Sequence, residues 1–296
     1  AQAAQCLAAG VHVLSEVTAC MSVAEAQALV RATTSSRAIY MMAENYIYRR
    51  DCMLVAAMMR AGVFGKPYYA EGEYLHDCRE LFVSTPWRTG VHGGSDGITY
   101  PTHSLGPVLQ WFPGERVTAV MCAGSGRNHP DPAGGTYVQQ APCVMLCRMS
   151  GGGLVKIRVD ILSERPHAMH NYQLQGSEGA YDGMGIEYHE AQVWTNRHGR
   201  RPQDTWHKGP VWDPLRSMEE LYLPSCWKNA TPAQMATGHG GGDYFQFLDF
   251  VTAVRGGANR LDVFAALDMT LPGILSQASI AQGSAWIEVP DPRSWA

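Results

Sequence analysis

Up to Gly62 the chain alternates apolar helix and short apolar strand, and this rhythm limits the possible folds more than any other feature. Ala1 to Ala9 reads as the tail of a helix closed by Gly10, and Val11 to Leu14 as a strand. Ser22 then caps a helix with Glu25 at the capping-box position. Ala38 to Ala43 forms a second buried strand. Asp51 to Ala61 is an apolar-periodic helix that ends at Gly62. Strands separated by crossover helices pair in parallel, with helices covering the sheet. Such sheets bind ligands beyond the carboxyl ends of their strands. That singles out Ser15-Glu16-Val17-Thr18 and Glu44-Asn45-Tyr46 as cofactor contacts, with capped strand-to-helix turns as the alternative. The phosphate-binding GxGxxG is missing, since neither Gly90 to Gly97 nor Gly238 to Gly242 stands between a buried strand and a crossover helix. Residues 1–64 are therefore expected to be the C-terminal part of a Rossmann-like parallel sheet. About eighty preceding residues would complete it, at thirty-odd per strand–helix–strand unit.

After Lys66-Pro67 the pattern changes. Tyr68 to His76, Arg116 to Ala123, Cys143 to Met149, Leu154 to Leu162 and Asn171 to Gln175 are strand-like, with Ser150 to Gly153 as a hairpin turn. Consecutive strands argue for a mostly antiparallel open-faced sheet in an α+β domain over 65–296. Gly183 to Pro232 has weak periodicity and reads as long loops. Asp243 is the expected N-cap of a helix closing on Gly256. The glycines before it serve either as a close backbone approach to a ligand or as a lead-in. Another helix lies within Leu261 to Gln282, and Ala285 to Val289 is a last strand whose neighbours return toward the nucleotide domain.

A net charge of −4 over 296 residues supplies no basic field for nucleic acid and no polybasic patch for a membrane. No apolar run comes near twenty residues, and the start lacks a charged leader region. The eight cysteines form no CxxC pair, and several sit in apolar runs. These observations predict a reduced, cytoplasmic chain without a disulfide framework. His167 and His170 lie close together, but no carboxylate or cysteine joins them at ligand spacing, so no metal site is expected.

Chemistry concentrates between Trp87 and Phe112. An aromatic–arginine pair leads through a glycine-rich loop to Tyr100-Pro101-Thr102-His103 and an apolar helix. Pro101 suits a helix start, which holds Tyr100 and His103 near the positive end of the helix dipole. A phenol, an imidazole and the Arg88 guanidinium make a polar pocket for a hydroxylated small molecule, against the alternative of a structural histidine. His103 is the candidate general base, because imidazole titrates near neutrality. Tyr100 would donate to a developing carbonyl.

Together these residues resemble the Gfo/Idh/MocA superfamily of nucleotide-dependent sugar oxidoreductases over essentially the whole chain. The superfamily's Glu-Lys-Pro marker follows a strand of type GxHVLxEKP. Here Gly10 to Thr18 keeps Glu16 but has Val17 and Thr18 in place of Lys and Pro. The usual DxxxH maps to Thr99 and His103, so the Asp is missing. Glu16-Val17, Asn45, Tyr74, Arg88 and Tyr100-Pro101-Thr102-His103 look like one branch, the NAD-dependent α-N-acetylgalactosaminidases of glycoside hydrolase family 109.

The resemblance implies that Glu16, Val17 and Asn45 touch NAD, with NADP left open. It also implies that Tyr74, Arg88, Tyr100, Pro101, Thr102 and His103 line a carbohydrate site. His167, Tyr172 and Tyr181 compete for a further substrate position. The expected activity is hydride transfer between a sugar and NAD(P) in a homo-oligomer. The alternative is a glycosidase in which the transient ketone acidifies a C–H bond, the glycosidic group leaves, water adds and the hydride returns. That route needs no facing carboxylate pair. A second alternative is a non-catalytic truncated member, which an upstream sequence lacking a strand and GxGxxG would favour.

Overall fold

The computed structural model describes residues 1–88, 96–131, 134–183, 189–196 and 212–296. Gly90, Gly93 and Gly94 of the glycine-rich loop lie outside the described residues. In the first part, α1 (Gln2–Ala8), β1 (Val13–Ser15), α2 (Val23–Thr34), β2 (Tyr40–Met42), a 3-10 turn (Asn45–Tyr48) and α3 (Arg50–Arg60) follow in order. β1 and β2 pair in parallel, as the helix–strand rhythm requires. Ser22 Oγ accepts from Glu25 N–H at 3.2 Å, as a cap should, but Glu25 reaches past the cap residue to accept from Met21 N–H at 2.9 Å.

The second part holds β3 (Pro67–Leu75), α4 (Arg79–Ser84), α5 (Thr102–Leu109), β4 (Val117–Gly124), β5 (Cys143–Met149), β6 (Leu154–Asp160), β7 (Ala168–Gly176) and β8 (Gly179–Asp182). There follow β9 (Gln192–Thr195), β10 (Asp213–Pro214), the short helices α6 (Glu219–Tyr222), α7 (Ser225–Lys228) and α8 (Pro232–Met235), then α9 (Gly242–Val254), α10 (Val263–Ala281) and β11 (Ile287–Glu288). The strands form one nine-stranded sheet in the order β10-β9-β8-β7-β3-β6-β5-β4-β11. Only the β3–β6 pairing among them is parallel.

The fold class is that expected: a parallel two-stranded piece followed by a mostly antiparallel sheet. Two local expectations need correction. Residues 183–232 are not simply loops, because β9 and β10 extend the sheet edge and three one-turn helices follow. Each is too short to show periodicity. Asp243 does not cap α9. Gly241, at φ 91°, occupies the cap position, and Asp243 sits in the first turn facing His239.

α10, with 19 residues, has by length and composition what a membrane-crossing helix needs, although Asp268, Ser276 and Gln277 interrupt its apolar sequence. Here it packs against β4, β2, α2 and α5 in the core, and small side chains make its approach close. Ser279 Oγ accepts from Cys122 N–H of β4 at 2.8 Å, Ser276 Oγ accepts from Ile98 N–H at 2.8 Å, and Thr270 Oγ1 accepts from Ala19 N–H at 3.4 Å. The segment leading into α10 covers the β2 edge, where Met42 N–H donates to Leu261 O at 3.0 Å. Paired edges of this kind remove a liability that an open strand would carry.

Candidate active site

α5 carries the site because it is packed on all sides. Every residue from Thr102 to Leu109 is buried. Its close seat on β3 depends on Gly72, where a Cβ would lie 2.0 Å from Ser104 O. On the other side, a Cβ at Gly273 of α10 would lie 2.6 Å from Pro101 Cγ. Missing side chains thus let the start of the helix press between strand and helix.

Tyr100 and His103 meet at this start. The Tyr100 hydroxyl is 3.1 Å from His103 Nε2. His103 Nδ1 is 2.9 and 3.0 Å from the two carboxylate oxygens of Glu44. His103 is only 4% exposed and Glu44 is 0% exposed. A carboxylate on Nδ1 fixes that nitrogen as the N–H, so Nε2 is the acceptor facing the phenol. Burial pushes the Tyr100 phenol far above its usual range, with the charges of Glu44 and Glu16 adding to the shift and Arg88 opposing it. Tyr100 is therefore a neutral hydroxyl beside the imidazole, able to donate to His103 Nε2.

Aromatic rings enclose the pair. Tyr46 stacks on His103 with ring centroids 4.1 Å apart. Tyr74 lies 5.6 Å from Tyr100 and 5.4 Å from His103, centroid to centroid. Beside them opens a cleft of about 750 Å³, lined among others by Tyr46, Arg49, Asp77, Arg165, His167 and His239.

The structure brings most of the expected residues together. Glu16 and Asn45 follow the carboxyl ends of the two parallel strands, and Asn45 immediately succeeds the His103 partner Glu44. Asn45 Nδ2 lies 3.0 Å from both His239 Nδ1 and Asp243 Oδ1, while its Oδ1 is buried without a hydrogen-bond partner. Glu16 is exposed and Val17 half-buried. Arg88 stacks over Trp87 at 4.6 Å, its Nε is buried without a partner, and it acts on Tyr100 electrostatically. Pro101 and Thr102 instead turn into the packing. Thr102 is fully buried with its hydroxyl unpartnered.

Of the three residues competing for a further substrate position, only His167 lines the cleft. Tyr172 is buried behind α5 and donates to His103 O, and Tyr181 is buried against Trp111. The described residues hold no cluster of metal-ligating side chains.

Sequence reasoning missed Glu44 as a member of the constellation. It lies 59 residues before His103, and its one signal was its place at the end of a buried strand. Glu44 and Tyr46 had been expected only as cofactor contacts, whereas Arg49, His76 and His239 were missed. His76 stacks on His167 at 4.2 Å, and burial, then the neighbouring His167, lowers its pKa.

A glycosyl hydrolase family 109 protein from Saccharopolyspora erythraea is 29% identical over 95% of this chain, and the chain spans 62% of that relative. An alpha-N-acetylgalactosaminidase from Shewanella oneidensis is 26% identical over 95% of the chain, which spans 64% of it. The chain thus covers less than two thirds of these relatives' length. Among solved structures, levoglucosan dehydrogenase in complex with NADH and levoglucosan superposes with a TM-score of 0.76 at 17% identity, covering 97% of this chain and 76% of that one. An inositol dehydrogenase homolog from Azotobacter vinelandii, complexed with NAD+, gives 0.70 at 15% identity, covering 97% and 74%. These likenesses show a shared fold. The family model for the C-terminal domain of glycosyl hydrolase 109 matches residues 48–294, and the chain belongs to that family.

Proposed function

We propose that this chain carries the substrate half of an NAD-dependent enzyme that moves a hydride between a sugar carbinol and nicotinamide. The observation that carries the reading is the line Tyr100 hydroxyl, His103 imidazole, Glu44 carboxylate, which ends beside Asn45 at the exit of the parallel strands. The ligands of the fold neighbours, NADH with levoglucosan and NAD+, support it. Residues 1–64 would contribute to the dinucleotide domain and 65–296 would form the substrate domain.

The residues present fit the cofactor. Asn45 Oδ1 is a buried acceptor with no hydrogen-bond partner among the described residues. Glu16, Val17 and Asn45 would hold NAD where parallel sheets bind ligands. When bound, NAD supplies the hydride chemistry. The chain's own groups handle the proton. A sugar hydroxyl donates to the Tyr100 oxygen, Tyr100 passes its own proton to His103 Nε2, and Glu44 stabilises the imidazolium through Nδ1. Arg88 and Tyr74 orient neighbouring hydroxyls.

His103→Ala in the intact protein is expected to abolish turnover while leaving NAD affinity within a few-fold. Retained turnover removes His103 from the reaction.

Family membership favours a second reading, in which the same oxidation starts glycoside cleavage by elimination. The cleft carboxylates support it. Asp77 is held by Arg79 Nε at 2.9 Å and Nη2 at 2.7 Å, and Glu164 is held by Arg79 Nη1. Neither is free to serve in a two-carboxylate hydrolysis. Aglycone released from a glycoside without added NAD supports this reading. Stoichiometric NADH with no aglycone supports net dehydrogenation. Eight free cysteines suit the cytoplasm, and a homo-oligomer completes the proposal.

A further inference from the structure

Arg49 lines the cleft one ring away from the reacting centre. Its guanidinium carbon lies 5.7 Å from the Tyr46 ring, whose other neighbour, at 4.1 Å, is His103. The Arg49 side chain is only 20% exposed. A guanidinium has five N–H donors, yet among the described residues this one makes a single long hydrogen bond, from Nη1 to His239 O at 3.4 Å. Nε is buried with no hydrogen-bond partner, and Asp51 forms an ion pair with it only at 3.7 Å, beyond hydrogen-bond reach. Gly240 backs the guanidinium, since a Cβ there would lie 3.2 Å from Nη1. A desolvated cation with idle donors is costly unless a ligand completes it.

The rest of the cleft has the same sign. Arg165 lines it and has no partner among the described residues, while the two lining carboxylates, Asp77 and Glu164, are both bound by Arg79. The two wall carboxylates are held, while the guanidinium donors of Arg49 and Arg165 are left largely unused among the described residues.

We propose that the cleft selects an anionic sugar, one that carries a carboxylate near the reacting carbinol, as in a hexuronic acid or its glycoside. Arg49 forms the inner, fork-shaped contact to the carboxylate and Arg165 the outer one. This deepens the hydride-transfer reading and rests on it. A neutral sugar would satisfy the donors only through hydroxyl oxygens, without charge.

The test pairs a hexuronide with the hexoside of the same configuration and aglycone, using the NAD-loaded intact protein. The expected ratio of kcat/KM, uronide over hexoside, is on the order of tenfold to a hundredfold, the range of one charge-assisted contact. It should collapse toward unity in Arg49→Gln. Arg165→Gln should lower it several-fold, and because Arg165 is exposed this variant keeps the test open if Arg49→Gln fails to fold. Added salt should lower the ratio. A wild-type ratio at or below one overturns the proposal, as does a ratio unmoved by both variants. If neither sugar is turned over, the hydride-transfer reading has failed. The preference is then measured as the ratio of equilibrium affinities for the free hexuronate and the free hexose by calorimetry. A ratio at or below one, or one that neither variant moves, overturns the proposal there as well.

Discussion

Glu44→Gln isolates the carboxylate of the relay. The side chain keeps its volume in a site that leaves no room for change, since a Cβ at Gly106 would already lie 3.1 Å from Glu44 Cγ. In the native protein Glu44 accepts from Tyr46 N–H at 3.0 Å and from His103 Nδ1 at 2.9 and 3.0 Å. Oε1 serves both the Tyr46 amide and His103 Nδ1, so a glutamine oxygen in its place keeps those two contacts. The amide nitrogen replaces Oε2, 3.0 Å from Nδ1, and faces that nitrogen as a donor without the carboxylate charge that holds an imidazolium. Where this donor takes Nδ1, the imidazole carries its proton on Nε2 and presents a donor to Tyr100. In either arrangement proton transfer from Tyr100 to Nε2 is weakened. The analogous Asp-to-Asn change in a serine protease triad costs about 10⁴ in kcat, and general acid–base catalysis is worth about 10² to 10⁴. The expected loss is therefore about 10³-fold in kcat, or about 4 kcal/mol of barrier. Stability should fall by about 1–3 kcal/mol, because one buried partner is left unsatisfied. Single-turnover reduction of NAD by substrate, NAD titration and thermal melts separate these effects. A folded variant with kcat within threefold of wild type would refute the relay.

Tyr100→Phe should lower kcat by about 10² with NAD affinity unchanged, because it removes the hydroxyl between sugar and imidazole. Burial holds the native phenol protonated well above its usual range. The kcat–pH profile should therefore show no alkaline loss from this group up to about pH 10, and an alkaline limb that vanishes in Tyr100→Phe would contradict it. Gly72→Ala drives a Cβ to 2.0 Å from Ser104 O and should destabilise by about 2–3 kcal/mol while displacing the helix that bears His103. An unchanged melting temperature would deny the close seat. The Arg79 guanidinium holds the Asp77 carboxyl down at about 2. Its contribution to stability is present above the ordinary carboxylate value of about 4 and is lost as pH falls from there toward about 2. The gap in melting temperature between wild type and Asp77→Asn should close over that window, and a gap unchanged through it counts against the pair.

What the sequence showed and what it hid follow from the range of the interactions. The β5 strand has the bounds expected of it, and α3 lies within a residue of expectation, because alternation and helical spacing are local signals. Tyr100 and His103 were visible because three positions on one helix start place them together. Glu44 was not, because its contact depends on how β2 and α5 pack rather than on spacing. The single turns after β10 were too short for periodicity to register. Pro101 and Thr102 belong to a recognisable motif yet point into the packing, since a motif records which residues recur and not which way each one faces.

α10 touches both sheets through its serines and threonine. It receives the amide of Ile98 at one serine and that of Cys122 at another, and it offers a bare glycine to Pro101. The helix therefore acts as an axle on which the parallel strands and the large sheet are jointly mounted. On the proposed reading, the distance a hydride must cross would be set by this spindle, buried away from both ligands. Natural variation along its inward stripe would retune the rate while every residue at the reacting centre stays the same.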